Sequence, residues 1–243
     1  MKKNSLTYRS MSGFLWKLTE KAGSQVVSFV IQLVLARLLL PEVYGIVGYL
    51  TIFITLSDVF IKQGLTMALI QKKDADDTDF SSVFWTNLVV SLLLYAIMFV
   101  AAPYISIFYE EPQLTSVMRV LSLNVVIGAL GAVHEAAMTK QLDFKKSFYR
   151  GLANSIAYGV SGVLLALNGF GVWSLVYGRL IGVSVGSAVL WLTVKWRPRF
   201  LFSKERVISL FRFGSKVLGT NLLNSLFNNI NSLIIGKFGD TVD

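Results

Sequence analysis

Lys21, Ser24 and Ser28 set a polar stripe along an otherwise apolar segment, and Asn221, Asn224 and Asn228 repeat the stripe 200 positions later. Spacings of three and four residues place each set on one helical face. Asn231 extends the second stripe, and Gln25 and Gln32 accompany the first. The same shift lays Leu33-Val34-Leu35-Ala36-Arg37-Leu38 over Leu233-Ile234-Ile235-Gly236-Lys237-Phe238, apolar on apolar and cation on cation, which predicts an internal repeat. Amides and hydroxyls in an apolar helix need hydrogen-bond partners. A wet lumen or polar helix contacts would satisfy them, and in the lumen reading the amides suit the hydroxyl groups of a sugar.

Asp58 sits late in the second apolar segment, where an ionised carboxylate at mid-bilayer costs about 2.5–3.5 kcal/mol on insertion scales. Lys62, one turn on, is the simplest partner, and the pair reads either as structural or as part of a lumen. Arg37, Arg119 and Arg179 are the cations outside the basic connections. Facing a cavity they would attract an anion such as a diphosphate, which guanidinium matches in bidentate geometry; otherwise they snorkel to the interface, a reading that fits Arg119 better than Arg179. The candidate cavity-lining and substrate residues are therefore Lys21, Ser24, Gln25, Ser28, Arg37, Asp58, Arg179, Asn221, Asn224, Asn228 and Asn231. His134 beside Glu135 reads as a proton carrier or as packing at a span end.

No catalytic residues, metal site or cofactor are expected. Asp74-Ala75-Asp76 and Asp77-Thr78-Asp79 fit the Asp-x-Asp spacing of metal-holding pairs. With no folded soluble domain around them they read as a solvated loop capping the third span, and neutralising them should leave activity intact. The chain lacks a P-loop, an H-E-x-x-H run and a nucleophile elbow. It has no cysteine, which excludes disulfides and thiolate sites.

The elements that carry these residues are membrane spans. Hydrophobic residues make up 54% of the 243 positions and charged residues 15%, too few polar side chains to cover a soluble globule of this size. The net charge of +9 does not point to nucleic acid, because the cations cluster between apolar runs. A crossing helix takes about 20 apolar residues. Seven candidates follow: Phe14 to Leu40, Tyr44 to Ile61, Val83 to Ile107, Val117 to Ala137, Leu152 to Leu167, Val172 to Val194 and Leu210 to Phe238.

Lys and Arg concentrate in alternate connections: the N-terminal tail, Lys72-Lys73, Lys140 to Arg150, and Lys195 to Arg206. The intervening connections, among them Pro103 to Gln113 and Asn168-Gly169-Phe170-Gly171, are nearly free of them. The positive-inside rule then puts the N-terminus in the cytoplasm. Seven spans end outside, so the chain reads as truncated at Asp243. The basic connections around Phe144 and Phe200 have amphipathic spacing and either lie on an anionic leaflet or are ordinary basic loops. Gly178, Gly182 and Gly186 offer a smooth strip for a packed helix; a hinge is the functional alternative.

Several blocks carry a family resemblance. They are Leu35-Ala36-Arg37-Leu38-Leu39-Leu40-Pro41-Glu42-Val43-Tyr44-Gly45; Gln63-Gly64-Leu65 through Asp74; Phe84-Trp85-Thr86-Asn87; Leu142-Asp143-Phe144; Gly169-Phe170-Gly171-Val172-Trp173-Ser174-Leu175-Val176; and Leu233-Ile234-Ile235-Gly236-Lys237. Over essentially its whole length the chain resembles bacterial polysaccharide exporters of the lipopolysaccharide, colanic acid and teichuronic acid type, within the multidrug/oligosaccharidyl-lipid/polysaccharide flippase superfamily. The resemblance implies an all-α, polytopic membrane helix bundle: residues 1–200 as the N-terminal six-helix lobe of a two-lobe flippase, and residues 201–243 as an amphipathic linker and the first helix of the second lobe. It implies a transporter, not an enzyme, in the bacterial cytoplasmic (inner) membrane, moving undecaprenyl-diphosphate-linked oligosaccharide for surface polysaccharide biosynthesis or export. Membrane lipids and polysaccharide assembly enzymes are the further partners. Two rivals stand beside it, a cation-coupled multidrug exporter of the same fold and a polytopic envelope glycosyltransferase or polymerase; a half-size homodimer is a third arrangement.

Overall fold

The computed structural model describes the backbone of residue 23 and residues 25–238, and the side chains of these except 144, 226 and 228–238. Among the described residues nine helices and no strand follow one another: α1 (Gln25–Leu38), α2 (Pro41–Gln63), α3 (Leu65–Gln71), α4 (Asp77–Phe108), α5 (Gln113–Leu121), α6 (Leu123–Lys140), α7 (Phe144–Leu167), α8 (Val172–Thr193) and α9 (Lys204–Phe238). The protein is an all-α membrane helix bundle. Four segments are long and apolar enough to cross a bilayer: Pro41–Gln71, Asp77–Phe108, Gln113–Lys140 and Val172–Thr193. The described part of α1 is apolar but shorter. α7 is 24 residues long and carries Lys145, Lys146 and Arg150 in its first two turns.

Breaks in the helices mark where the elements approach one another. The second apolar segment does not stop at Ile61; it breaks at Gly64 and resumes as α3. The break frees the Ile61 carbonyl, which accepts from Thr66 Oγ1 at 2.7 Å and from Asn87 Nδ2 of α4 at 3.4 Å. A polar group freed inside an apolar bundle has to be met by such side chains. α9 crosses at this point, so close that a Cβ on Gly214 would lie 2.8 Å from the Gly64 carbonyl oxygen. Between α5 and α6 the interruption at Ser122 is slighter. Ser122 Oγ donates to the Arg119 carbonyl and Asn124 Nδ2 to that of Leu121, local bonds that compete with the helix ladder.

α4 runs through Pro103 to Phe108, so the connection expected from Pro103 shrinks to residues 109–112. A proline this near the helix end removes one ladder bond and leaves the last turn in place. The basic connection expected from Lys140 to Arg150 is likewise only residues 141–143. Lys140 ends α6, while Lys145, Lys146 and Arg150 lie on α7, where Lys146 pairs with Asp143 and Arg150 with Glu135, each at 2.7 Å.

α7 and α8 form a hairpin whose turn holds Gly169 and Gly171 at φ of +79° and +53°, the left-handed region that glycine adopts without strain. Gly178, Gly182 and Gly186 face α7: a Cβ at Gly182 would lie 2.8 Å from Asn154 Oδ1 and 3.0 Å from the Asn154 carbonyl. The strip is a close-packed seam, as small residues permit in membranes. Gly182→Ala should therefore lower stability by about 1–3 kcal/mol, the range for overpacking. A lower thermal unfolding midpoint in detergent checks this; an unchanged midpoint would mean the seam is loose.

Two apolar clusters fill the bundle. One gathers Leu50, Ile54, Met98, Leu114, Met118, Leu121 and Val176 from α2, α4, α5 and α8. The other, toward the basic end, gathers Leu69, Phe84, Val133, Ala136, Leu190 and Leu210. α1 joins through Leu35, packed with Ala166 and Leu175.

A polar chamber between four helices

A polar chamber of about 760 Å³ lies between α1, α2, α7 and α8. Its walls are Ser28, Gln32 and Ala36 of α1; Tyr44, Val47, Asp58 and Lys62 of α2; Asn154, Ser155 and Tyr158 of α7; and Leu175, Arg179 and Val183 of α8. Tyr44 and Lys62 are 18 residues apart on α2, about 27 Å of helix at 1.5 Å per residue. That is close to the bilayer's apolar thickness of about 30 Å.

Asp58 and Lys62 pair at 2.8 Å, each about one-third exposed, because positions i and i+4 share a helix face. Gly128 on α6 stands behind the carboxylate, where an added Cβ would be 3.9 Å from Asp58 Oδ1. Among the described residues that line it, the chamber holds one carboxylate, Asp58, and two cations, Lys62 and Arg179. Around them sit amide and hydroxyl groups. Asn154 is set by the glycine seam, and Tyr44 Oη is buried at the wall without a hydrogen-bond partner among the described residues. Such a surface can bind a doubly charged anion and the hydroxyls of an attached group together.

Of the residues singled out from sequence, Ser28, Asp58 and Arg179 come together here. Gln25 and Arg37 are exposed on α1 outside it. Asn221 is half-buried and Asn224 exposed on α9, which packs on α2, α3 and α4; neither lines the chamber. Lys21 and Ser24, and the side chains of Asn228 and Asn231, lie outside the described residues. The seventh span, expected to face α1 and α2, lies in part outside the described residues; among the described residues the facing wall comes from α7 and α8. Asn154, Ser155 and Tyr158 were missed, although Asn154 and Tyr158 stand four apart in an apolar run like the residues of the other stripes. Arg119 lies over the Phe99 ring, 4.3 Å from its centroid.

His134 does not meet Glu135, which pairs with Arg150. The imidazole is fully buried against Trp191 and Trp196, with centroids 4.4 and 5.2 Å away. Packing is what this geometry gives it.

The acidic run of residues 74–79 caps the third span as expected, but it is not simply solvated. Asp76 accepts from the Thr78 and Asp79 amides, and Asp79 accepts from the Asp76 amide, in a reciprocal capping box. Asp79 is fully buried and bound by Lys72 at 2.7 Å, with Arg206 at 3.4 Å. Arg206 also pairs with Asp76, so α9 is tied to the start of α4.

The Arg206 guanidinium holds the Asp76 carboxyl down at about 2. A carboxyl depressed from its ordinary value near 4 adds stability that is complete above that value and is lost as pH falls through about 2. The Thr78 and Asp79 amides should thus stay protected from hydrogen exchange, after correction for intrinsic rates, down to about pH 3. Loss of protection already at pH 4–5 would contradict the pairing.

Helices long enough to span, a core of apolar seams and an amphoteric chamber along the membrane depth define a multi-pass membrane protein with an internal polar site. Residues 34–243 match the family model described as polysaccharide biosynthesis protein, and the chain belongs to that family. It is 28% identical over 223 residues to the succinoglycan biosynthesis transport protein ExoT of Rhizobium meliloti (strain 1021), covering 92% of this chain and 45% of that one. It is 26% identical to the teichuronic acid biosynthesis protein TuaB of Bacillus subtilis (strain 168), covering 96% and 49%. With the lipopolysaccharide biosynthesis protein WzxC of Escherichia coli (strain K12) it shares 24% identity over 96% and 48%. The chain spans about half the length of these relatives. No solved structure matches it.

Proposed function

We propose that this chain is the N-terminal lobe of a transporter that carries a polyprenyl-diphosphate-linked oligosaccharide across the bacterial cytoplasmic membrane for surface polysaccharide assembly. The chamber is the observation that carries this reading. Lys62 and Arg179 supply two positive charges for a diphosphate, while Asn154, Ser155, Ser28 and Gln32 offer donors and acceptors to saccharide hydroxyls. Asp58 holds Lys62 in place when no anion is bound and releases it to the diphosphate. The prenyl chain stays in lipid. The relatives' names, a transport protein among them, support transport within polysaccharide biosynthesis rather than enzymatic chemistry.

In this reading residues 201–243 open a second lobe that completes the chamber, and the basic end of the bundle faces the cytoplasm. A cation-coupled drug exporter is less well supported, because Asp58, the one chamber carboxylate among the described residues, is already paired with a lysine. The test is expression of the gene carrying this chain in a strain lacking its own exporter. Restored surface polysaccharide is expected; none, despite normal membrane insertion, would remove the proposal.

A further inference from the structure

On the outer surface of the bundle, away from the chamber, a groove of about 500 Å³ is walled by Trp85, Thr86, Val89, Val90, Phe200 and Phe202. It is held open by a hydrogen-bonded frame. The Trp85 indole N–H donates to the Arg199 carbonyl at 2.9 Å, and the ring stacks on Phe200 with centroids 5.2 Å apart. The Arg199 amide donates to Ser81 Oγ at 3.1 Å and the Ser203 amide to Ser82 Oγ at 3.0 Å. Both ends of the segment are thus fixed to α4, and its aromatics are kept on the outside: Phe200 is 94% and Phe202 62% exposed.

Trp85 lies about two turns into α4 from its charged start at Asp77, the depth at which tryptophan collects between headgroups and acyl chains. Arg199 and Lys204, both exposed, flank the aromatic segment. Arg199 pairs with Asp77 through one terminal nitrogen at 3.2 Å, and a guanidinium has five N–H donors.

We infer that this groove binds an anionic phospholipid of the membrane, with an acyl chain laid against Val89, Val90 and the Trp85–Phe200 stack and the phosphate at Arg199 and Lys204. Charge selects the occupant. A second copy of the chain would bring two basic rims together, whereas an anionic headgroup neutralises one. The groove is walled by α4 and the α8–α9 segment and shares no residue with the chamber.

The experiment places the intact protein in phosphatidylcholine nanodiscs containing a minor fraction of brominated lipid, either phosphatidylglycerol or phosphatidylcholine. The fluorescence lost in wild type but not in Trp85→Phe reports the groove. Brominated phosphatidylglycerol should quench this component several-fold more than brominated phosphatidylcholine. Lys204→Gln, which leaves the Arg199–Asp77 pair intact, should reduce the excess, and Arg199→Gln with Lys204→Gln should abolish it. Added salt should weaken the excess in the unmodified protein. Equal quenching by both lipids, or an excess that survives the double substitution, would overturn the inference. Absence of quenching by either lipid in a dimeric protein would assign the groove to a second copy and overturn it as well. Because no polyprenyl lipid is present, this result is independent of transport.

Discussion

Arg179→Gln is expected to cut polysaccharide transport by about 10- to 100-fold while leaving the amount of protein in the membrane unchanged. The size follows from losing hydrogen bonds to a charged group, about 1.5–3 kcal/mol. Arg179 is half-buried in the chamber wall and forms no ion pair among the described residues, so its removal leaves none of their carboxylates uncompensated. Arg179→Lys should recover only part of the activity, because an ammonium is a point charge and cannot match two phosphate oxygens in a plane. Arg119→Gln is the control: that guanidinium lies over Phe99, outside the chamber. Transport in the exporter-deficient strain, normalised to membrane protein, reads all three. Equal activity of wild type and Arg179→Gln would mean the chamber cation is not part of the substrate path.

Asp79→Ala should give the largest loss of stability of any single change at the basic end. Asp79 is fully buried and accepts from Lys72 and from the Asp76 amide while facing Arg206. Removing one member of a buried pair costs about 3–5 kcal/mol, and the value here should fall near the lower bound. The reason is that Lys72 and Arg206, 37% and 38% exposed, can turn to water. Asp79→Asn, which keeps an acceptor for the capping box, should lose less. Asp74→Asn should be nearly neutral, since no pairing is found for that carboxylate among the described residues and it lies outside the helix. Thermal unfolding in detergent and protease cleavage between α8 and α9 distinguish the three. If Asp79→Ala unfolds at the wild-type temperature, the anchoring of α9 on α4 does not matter to stability.

The sequence pattern reveals four of the seven expected spans, the second, third, fourth and sixth, because burial in lipid leaves a simple mark, about 20 apolar residues bounded by charges. It revealed pairs within one helix for a similar reason: Asp58 and Lys62 are one turn apart, and the helix alone brings them together. Contacts between helices were harder to see. Asn154 looks like any polar residue in an apolar run until Gly182 of α8 is packed against it.

Asp79 was read as solvated because nothing local announces that Lys72 and, 127 positions later, Arg206 close over it. The apolar pattern ends the second span at Ile61, and nothing local marks Gly64 as the crossing point of α9, which depends on Gly214, far along the chain. Of the candidates named from sequence, Ser28, Asp58 and Arg179 line the chamber. Its α7 wall carries no counterpart of the 200-residue repeat, which points instead to Asn221, whose helix packs elsewhere among the described residues.

The most direct measurement of the central claim is transbilayer movement of a lipid-linked oligosaccharide in proteoliposomes made with the protein that carries this chain. A labelled polyprenyl-diphosphate saccharide starts in the inner leaflet, and its arrival outside is read by an enzyme that removes the exposed sugar. Wild type should move the lipid, Arg179→Gln should lose that movement, and Arg119→Gln should keep it. Folded wild-type protein that leaves the sugar inaccessible, or an Arg179→Gln variant that moves it at the wild-type rate, would contradict the claim.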